Sequence, residues 1–528
     1  MDPSVQDKRV TQASSGQPLD APAAAPARYK KRPDMTWHDH LLMLLHLGAE
    51  VEHSLMVQYL YAAYSIGGNQ IPDEHRTMVE GWRDAILSVA REEMGHLLTV
   101  QNLLVFLGGS VNFAREDFPW DREVYPFPFS LEPFSIKSLS CYIYAEMPRS
   151  VTPEPTPPPR KRREPNYVVP SAEAQARTIN QVVASLGDWL DPETVRTGMH
   201  RVGELYEHII EVISDEAKIA DTAFDESSYE IQASWDEWGR GYRPSPKMLD
   251  SEGNLISHAA TVLAADRPAH VLVDRVASRT DAIKALRALA DQGEGPHTNR
   301  SHEPSHFERF LDIFQELLRH GDPSWKPARD IPRDPTTRLD FARAVRGPLP
   351  VTAPQSRATV QRSDPEASII DAITAKHLAQ IFNERYRLLL DYLAHTFRLA
   401  RTTRRDRPGL RSMVMHRAFG EMYNLKTIAG LLVRLPRRDD GVSGYAGPPF
   451  EMPYSLNLPQ GDIDIWRRHD DLLKSSQTTC RRLLYYAGND PKVKAQLAEV
   501  GGEAYVRTLM DLDRQARNWI AQIISGAG

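Results

Sequence analysis

The chain has 528 residues, 41% hydrophobic and 25% charged, which is the composition of a globular protein of about three domains. A net charge of −6 argues against a nucleic-acid binder that relies on a strongly basic surface. Two cysteines, Cys141 and Cys480, exclude a disulfide framework and a cysteine-built zinc site, and they fit a reducing compartment. No run of about 18 apolar residues offers a membrane span, and the N-terminus lacks an apolar signal region. The expectation is a cytoplasmic protein with neither membrane nor nucleic acid as partner.

Residues 1–35, rich in Ala, Pro, Ser and Gln, read as a disordered tail. Thr36 is a candidate N-cap for a helix to about Ile66, and a second helix runs from about Asp73 to Leu107, so the two form an antiparallel hairpin. An aromatic-rich loop covers 111–135, a short helix 136–146, and a Pro- and Arg-rich surface excursion 148–170. A third helical region spans 171–186 and 192–216. An apolar patch lies at Val271–Val276, a helix at about 280–291, and a fourth bundle helix at about 303–320. Proline-rich 331–366 reads as a linker. Helical patterns at 367–401, 407–434, 461–487 and 491–525 suffice for a second bundle. The reading is therefore all-α: one helical bundle over 36–330 with long loop insertions, and a C-terminal helical domain over 367–528.

The chemistry concentrates on the first bundle. Glu93 and His96 are three apart and share a helix face with Ile86, Val89, Leu97 and Val100. An acid and an imidazole in an apolar stripe are costly unless paired or metal-bound. The same Glu-x-x-His spacing recurs at Glu303 and His306, where Pro304 suits a first helical position. Glu52 lies on the apolar stripe of the first helix, with Glu50 off it. In the third region Glu204, Glu207, His208 and Glu211 form a polar face that is either solvated or turned to the site. One acid from each of two helices and one Glu-x-x-His from each of two others is the ligand arrangement of ferritin-like dinuclear carboxylate sites. Tyr59, Tyr61 and Tyr64 cluster near Glu52, where core packing is the favoured role over a redox one. His53 and His208 neighbour the acids, with a satisfied core role favoured over proton transfer. His377, Glu384, His395, His416 and Glu421 repeat no such spacing and read as structural.

The chain also resembles a known family. The residues are Glu50-Val51-Glu52-His53 with Gln58-Tyr59-Leu60-Tyr61, Arg91-Glu92-Glu93-Met94-x-His96, Gly203-Glu204-Leu205-Tyr206, Gln292-Gly293-Glu294-Gly295 and Glu303-x-x-His306-Phe307-x-Arg309. Together they resemble the ferritin-like domain of the iminophenylpyruvate dimer synthases, which also occurs in bisindole pigment pathways of the violacein and rebeccamycin type. The resemblance covers about 36–320, and the Gly447–Pro453 segment is similar to one accompanying that domain. It implies a ferritin-like bundle with a dinuclear site of two Fe (alternatively Mn or Fe/Mn) held by Glu52, Glu93, His96, Glu204, Glu303 and His306. It further implies oxidative coupling of amino-acid-derived imines.

Two functions follow as expectations. One is a metal-dependent oxidase or oxygenase using dioxygen or peroxide on a small organic substrate, in a chain whose exposed faces suit a homodimer. The other is a non-catalytic helical scaffold in which buried acids and histidines only pair with each other.

Overall fold

The computed structural model describes residues 30–116, 129–148, 151, 172–187, 201–238, 271–294, 304–320, 325–338, 368–400, 409–453 and 456–526. Most of the expected tail, most of the Pro- and Arg-rich insertion, most of the linker and Glu303 lie outside them.

The first hairpin forms where the apolar periodicity and its caps place it. Helix α1 is Trp37–Ser65, opened by a capping box in which the Thr36 hydroxyl accepts from the Asp39 N–H and the Asp39 carboxylate accepts from the Thr36 N–H. Helix α2 is Asp73–Phe106. Helix α3, Ile136–Ala145, is opened by a capping box of Ser135 and Ser138, and α4 is Ala172–Leu186. Helices α5, Val202–Ser214, α6, Arg279–Gly293, and α7, His306–His320, complete the first bundle. α1 packs along α2; α5 packs on α1 and α6, and α7 on α2, α3 and α6. The helices that result enclose Glu52, Glu93, His96 and His306.

The apolar patch Val271–Val276 is an extended strip laid across α2. Asn102 Nδ2 donates to Asp274 O at 2.7 Å, and the Asp274 N–H donates to Thr99 Oγ1 at 3.2 Å. Gly95 permits this crossing, because a Cβ there would lie 2.5 Å from Leu272 O and 2.9 Å from Val271 Cγ1. Residues 325–338 cross the surface of the first bundle, and Arg329 Nη1 donates to Ile66 O at 2.7 Å.

The C-terminal bundle comprises α8, Ile373–Thr396, α9, Leu410–Leu432, α10, Asp462–Asn489, α11, Pro491–Val500, and α12, Gly502–Ile524. The single helix expected over 491–525 is two, because Gly501 adopts φ +72° and ends α11 in the left-handed region. In its core Arg385 donates to Glu421 Oε1 at 3.2 Å, to Ser476 Oγ at 2.7 Å and to Asp513. His395 and His469 approach each other at 3.0 Å. These groups match the structural role read for that half. No described helix is long and apolar enough to cross a membrane.

The crossing at Gly95 makes a paired prediction. Gly95→Ala should lower stability in urea unfolding by ~1–3 kcal/mol, since backbone must move. Gly81→Ala, on the same helix with nothing within 4 Å of the added carbon, should raise it by ~0.5–1 kcal/mol. Equal effects at the two positions would discount the close approach.

Candidate metal centre

Five side chains converge inside the first bundle: Glu52 from α1, Glu93 and His96 from α2, Glu146 at the C-cap of α3, and His306 at the first position of α7. All are 3% exposed or less. They form two triads, Glu52–Glu93–His96 and Glu93–Glu146–His306, each able to surround one cation, with Glu93 common to both.

The geometry around Glu93 is that of a bridge. Its Oε2 lies 2.9 Å from His96 Nδ1 and its Oε1 lies 2.9 Å from His306 Nδ1. The two imidazoles are near-parallel, with centroids 5.4 Å apart and planes at 24°. Glu52 Oε2, Glu93 Oε1 and His306 Nδ1 are all buried, and the last two face each other at 2.9 Å. Carboxylate oxygens and imidazole nitrogens turned to one buried interior are what a set of ligand atoms facing a cation requires. The donor set of carboxylate oxygens and imidazole nitrogens suits iron, manganese or zinc. The residues present therefore fit a pair of divalent ions.

Each inner group is held from behind. Tyr206 Oη donates to Glu52 Oε1 and Tyr59 Oη to Glu146 Oε1, the latter at 2.6 Å. His96 Nε2 is 2.8 Å from Gln292 Oε1. His306 Nε2 is 2.9 Å from Glu92 Oε2, and Arg309 grips both oxygens of Glu92. Arg309 is three residues beyond His306 on α7, so one turn of helix brings both to the same carboxylate. A cavity opens beside the triads, lined by Glu52, Glu93, His96 and Glu146 with Leu55, Val202, Gly203, Tyr206, Leu289, Ala290, Gly293 and Glu294. Glu294 Oε1 accepts from the Gly203 N–H at 2.5 Å. A Cβ at Gly203 would fall 1.8 Å from Glu294 Oε2, so only glycine leaves room for that carboxyl.

Protons fill the role of cations in this set. Burial, joined by the neighbouring charges of Glu52 and Glu146, pushes the Glu93 carboxyl well up. Burial alone would pull the His306 imidazole down, but the charge of Glu93 and the bonds to Glu146, Glu92 and Glu93 outweigh it and lift His306 to about 10. His96 is raised, against burial, by Glu52 and Gln292. Burial also pushes Glu294 well up.

Of the six ligands implied by the resemblance, Glu52, Glu93, His96 and His306 meet in this interior, Glu303 lies outside the described residues, and Glu204 belongs to neither triad. Glu204 is buried on α5, but it is Tyr206 of that helix that reaches the site, and a residue two positions away points about 200° elsewhere. Glu207 and Glu211 are exposed while Glu204 and His208 are buried, so the polar face of α5 is only partly solvated. The helix expected to open at Glu303 starts at His306, with Ser305 as N-cap exchanging hydrogen bonds with Glu308. Among the described residues, the acids grouped with His306 are Glu93 and Glu146. Sequence reasoning missed Glu146, although a signal exists. An acid closing the apolar run Cys141-Tyr142-Ile143-Tyr144-Ala145 sits at the negative end of a helix dipole, where local physics disfavours it. Tyr61 donates to Pro332 O, and His53 Nε2 pairs with Tyr386 Oη at 2.6 Å, so both side chains are engaged in the core.

The Ferritin-like family model matches residues 45–315, and the chain belongs to that family. It is 25% identical over 476 residues to dichlorochromopyrrolate synthase of Lentzea aerocolonigenes, an alignment covering 84% of this chain and 39% of the relative. It is 33% identical over 157 residues to 2-imino-3-(indol-3-yl)propanoate dimerase of Chromobacterium violaceum, covering 25% of this chain and 15% of that one. The chain thus spans well under half the length of these curated relatives. No solved structure matches.

The raised His306 pKa has a consequence for the metal-free protein. A folded-state value of about 10 against 6.5 unfolded means the pairing contributes fully below about pH 6.5 and is lost as pH rises towards 10. The stability gap between wild type and His306→Ala, measured by urea unfolding without metal, should narrow across that window. A gap independent of pH would contradict this assignment.

Proposed function

We propose that the chain is a dinuclear-metal oxidoreductase, with two iron ions as the favoured pair, which couples amino-acid-derived imines oxidatively in secondary metabolism. The observation that carries the reading is the shared Glu93, whose two oxygens each stand 2.9 Å from a different imidazole nitrogen.

Glu52, Glu93 and His96 would hold one ion, and Glu93, Glu146 and His306 the other. The pair, when bound, supplies the route by which two electrons pass from substrate to dioxygen. Coupling balances as follows: two imines in their enamine form join at the side-chain carbons through one new C–C bond. Two C–H hydrogens leave as two protons and two electrons, and dioxygen takes both to become hydrogen peroxide. The two relatives, one named a dimerase of an indolyl imino acid, support this substrate class.

The chain's own residues supply positioning and proton control. Leu55, Val202, Leu289 and Ala290 give the small cavity, about 10 Å³, an apolar wall beside the triads. Glu294, whose carboxyl burial pushes well up, lines the same cavity and is held there by the Gly203 N–H. Tyr206 and Tyr59 keep Glu52 and Glu146 in the orientation that faces the interior.

Elemental analysis of the purified chain should find about two equivalents of iron or manganese. Glu93→Ala should lose both ions, while Glu146→Ala should lose one and keep the other. Loss of a single ion in Glu93→Ala would remove the bridge from the proposal.

The reaction is tested by loading the protein with Fe²⁺ anaerobically. It is then given an aromatic 2-oxo acid with ammonia, to form the imine, and dioxygen. The expected product by mass spectrometry is a dimer two hydrogens lighter than two monomers, absent in Glu93→Ala. A monomeric hydroxylated product in its place would sink the coupling while keeping the oxidoreductase.

A further inference from the structure

We propose that the two cation positions are inequivalent: the one facing His306 is the tight, retained position, and the one facing His96 is the exchangeable position that meets the substrate. The proposal rests on the dinuclear reading above and adds an order to it.

The inner atoms do not distinguish the positions. Each has one imidazole Nδ1, one private acid (Glu146 or Glu52) and one oxygen of Glu93. Each private acid accepts one tyrosine hydroxyl, from Tyr59 or Tyr206. The difference stands one layer out. His306 Nε2 meets the carboxylate of Glu92 at 2.9 Å, whereas His96 Nε2 meets the neutral amide oxygen of Gln292 at 2.8 Å. A carboxylate accepting the outer N–H draws the proton towards itself, raises electron density on the inner nitrogen and strengthens it as a ligand. An amide does this far less. Arg309 keeps Glu92 in its charged form and in place, and because the guanidinium lies beyond the carboxylate, the nearer negative charge governs the imidazole.

Access points the same way. The cavity is lined by Glu93 and both private acids, Glu52 and Glu146, but of the two imidazoles only by His96, His306 being 0% exposed. A small molecule or chelator entering there meets the His96 ring and not that of His306.

The test uses the full chain, stripped by a chelator and titrated anaerobically with Mn²⁺, followed by calorimetry and electron paramagnetic resonance. Two affinity classes at least ~10-fold apart are expected. A mononuclear six-line spectrum should dominate at one equivalent and give way to a coupled spectrum at two. Glu92→Gln, which copies the His96 arrangement, should weaken only the tight class by roughly 10–100-fold. Because that change strands Arg309, Gln292→Glu provides an independent arm and should tighten only the loose class. Equal affinities in the wild type, or an effect of either variant on the wrong class, overturn the proposal and leave the two-ion centre standing. Absence of any Mn²⁺ binding overturns the centre itself.

Discussion

The structure turns on one buried carboxylate. Glu93 is 1% exposed and sits among four other ionisable groups, two imidazoles and two acids. Removing such a charge from water is prohibitive unless something compensates at close range. Two imidazoles do so, one on each oxygen, and each imidazole is in turn fixed by a partner on its far nitrogen. The outer residues Gln292, Glu92, Arg309, Tyr59 and Tyr206 are consequences of that first burial. Without them the inner groups would rotate, and the interior would admit water or collapse. A pair of divalent ions compensates the same charges better than protons can, since each ion meets several ligand atoms at once.

Two of the five inner groups are delivered by helix ends rather than helix faces. Glu146 closes α3 and His306 opens α7. A carboxylate at a helix C-terminus and an imidazole at an N-terminus both run against the helix dipole once charged. Their proximity to each other and to Glu93 offsets that disadvantage. The arrangement frees α3 and α7 from running the full length of the bundle. Close approaches at glycines supply the remaining room, with Gly203 making way for Glu294 and Gly293 admitting Glu146 Oε2 at 3.0 Å from where a Cβ would stand.

The C-terminal bundle bears on the centre from behind α1. Tyr386 of α8 bonds to His53, the residue next to Glu52, and Arg115 links Tyr386 to the Phe450 carbonyl. Arg411 at the start of α9 donates to Ile231 O and Gln232 O and pairs with Glu237. Glu451 in the Gly447–Pro453 segment accepts from Thr336, Thr337 and Asn383, tying the crossing strand 325–338 to α8. Of these bonds, that between Tyr386 and His53 reaches α1 directly, one residue from Glu52.

Local physics alone determined much of this protein. The Thr36 cap, the α1–α2 hairpin, and the placing of Glu52, Glu93 and His96 on apolar faces all follow from periodicity and capping, which act within a few residues. The all-α character and the two helical halves follow in the same way. Only the tertiary structure decided which acid completes the His306 triad. Glu146 and His306 are 160 positions apart by their numbering, and no periodicity spans separate helices. It also decided that α5 turns Tyr206 rather than Glu204 inward, because helix rotation is set by packing against α1 and α6 once both faces offer plausible partners. The layer behind the imidazoles was equally invisible beforehand. Glu92 and Gln292 stand in the motifs that carry the resemblance without a role of their own, and only the folded chain sets a carboxylate behind one ring and a neutral amide behind the other.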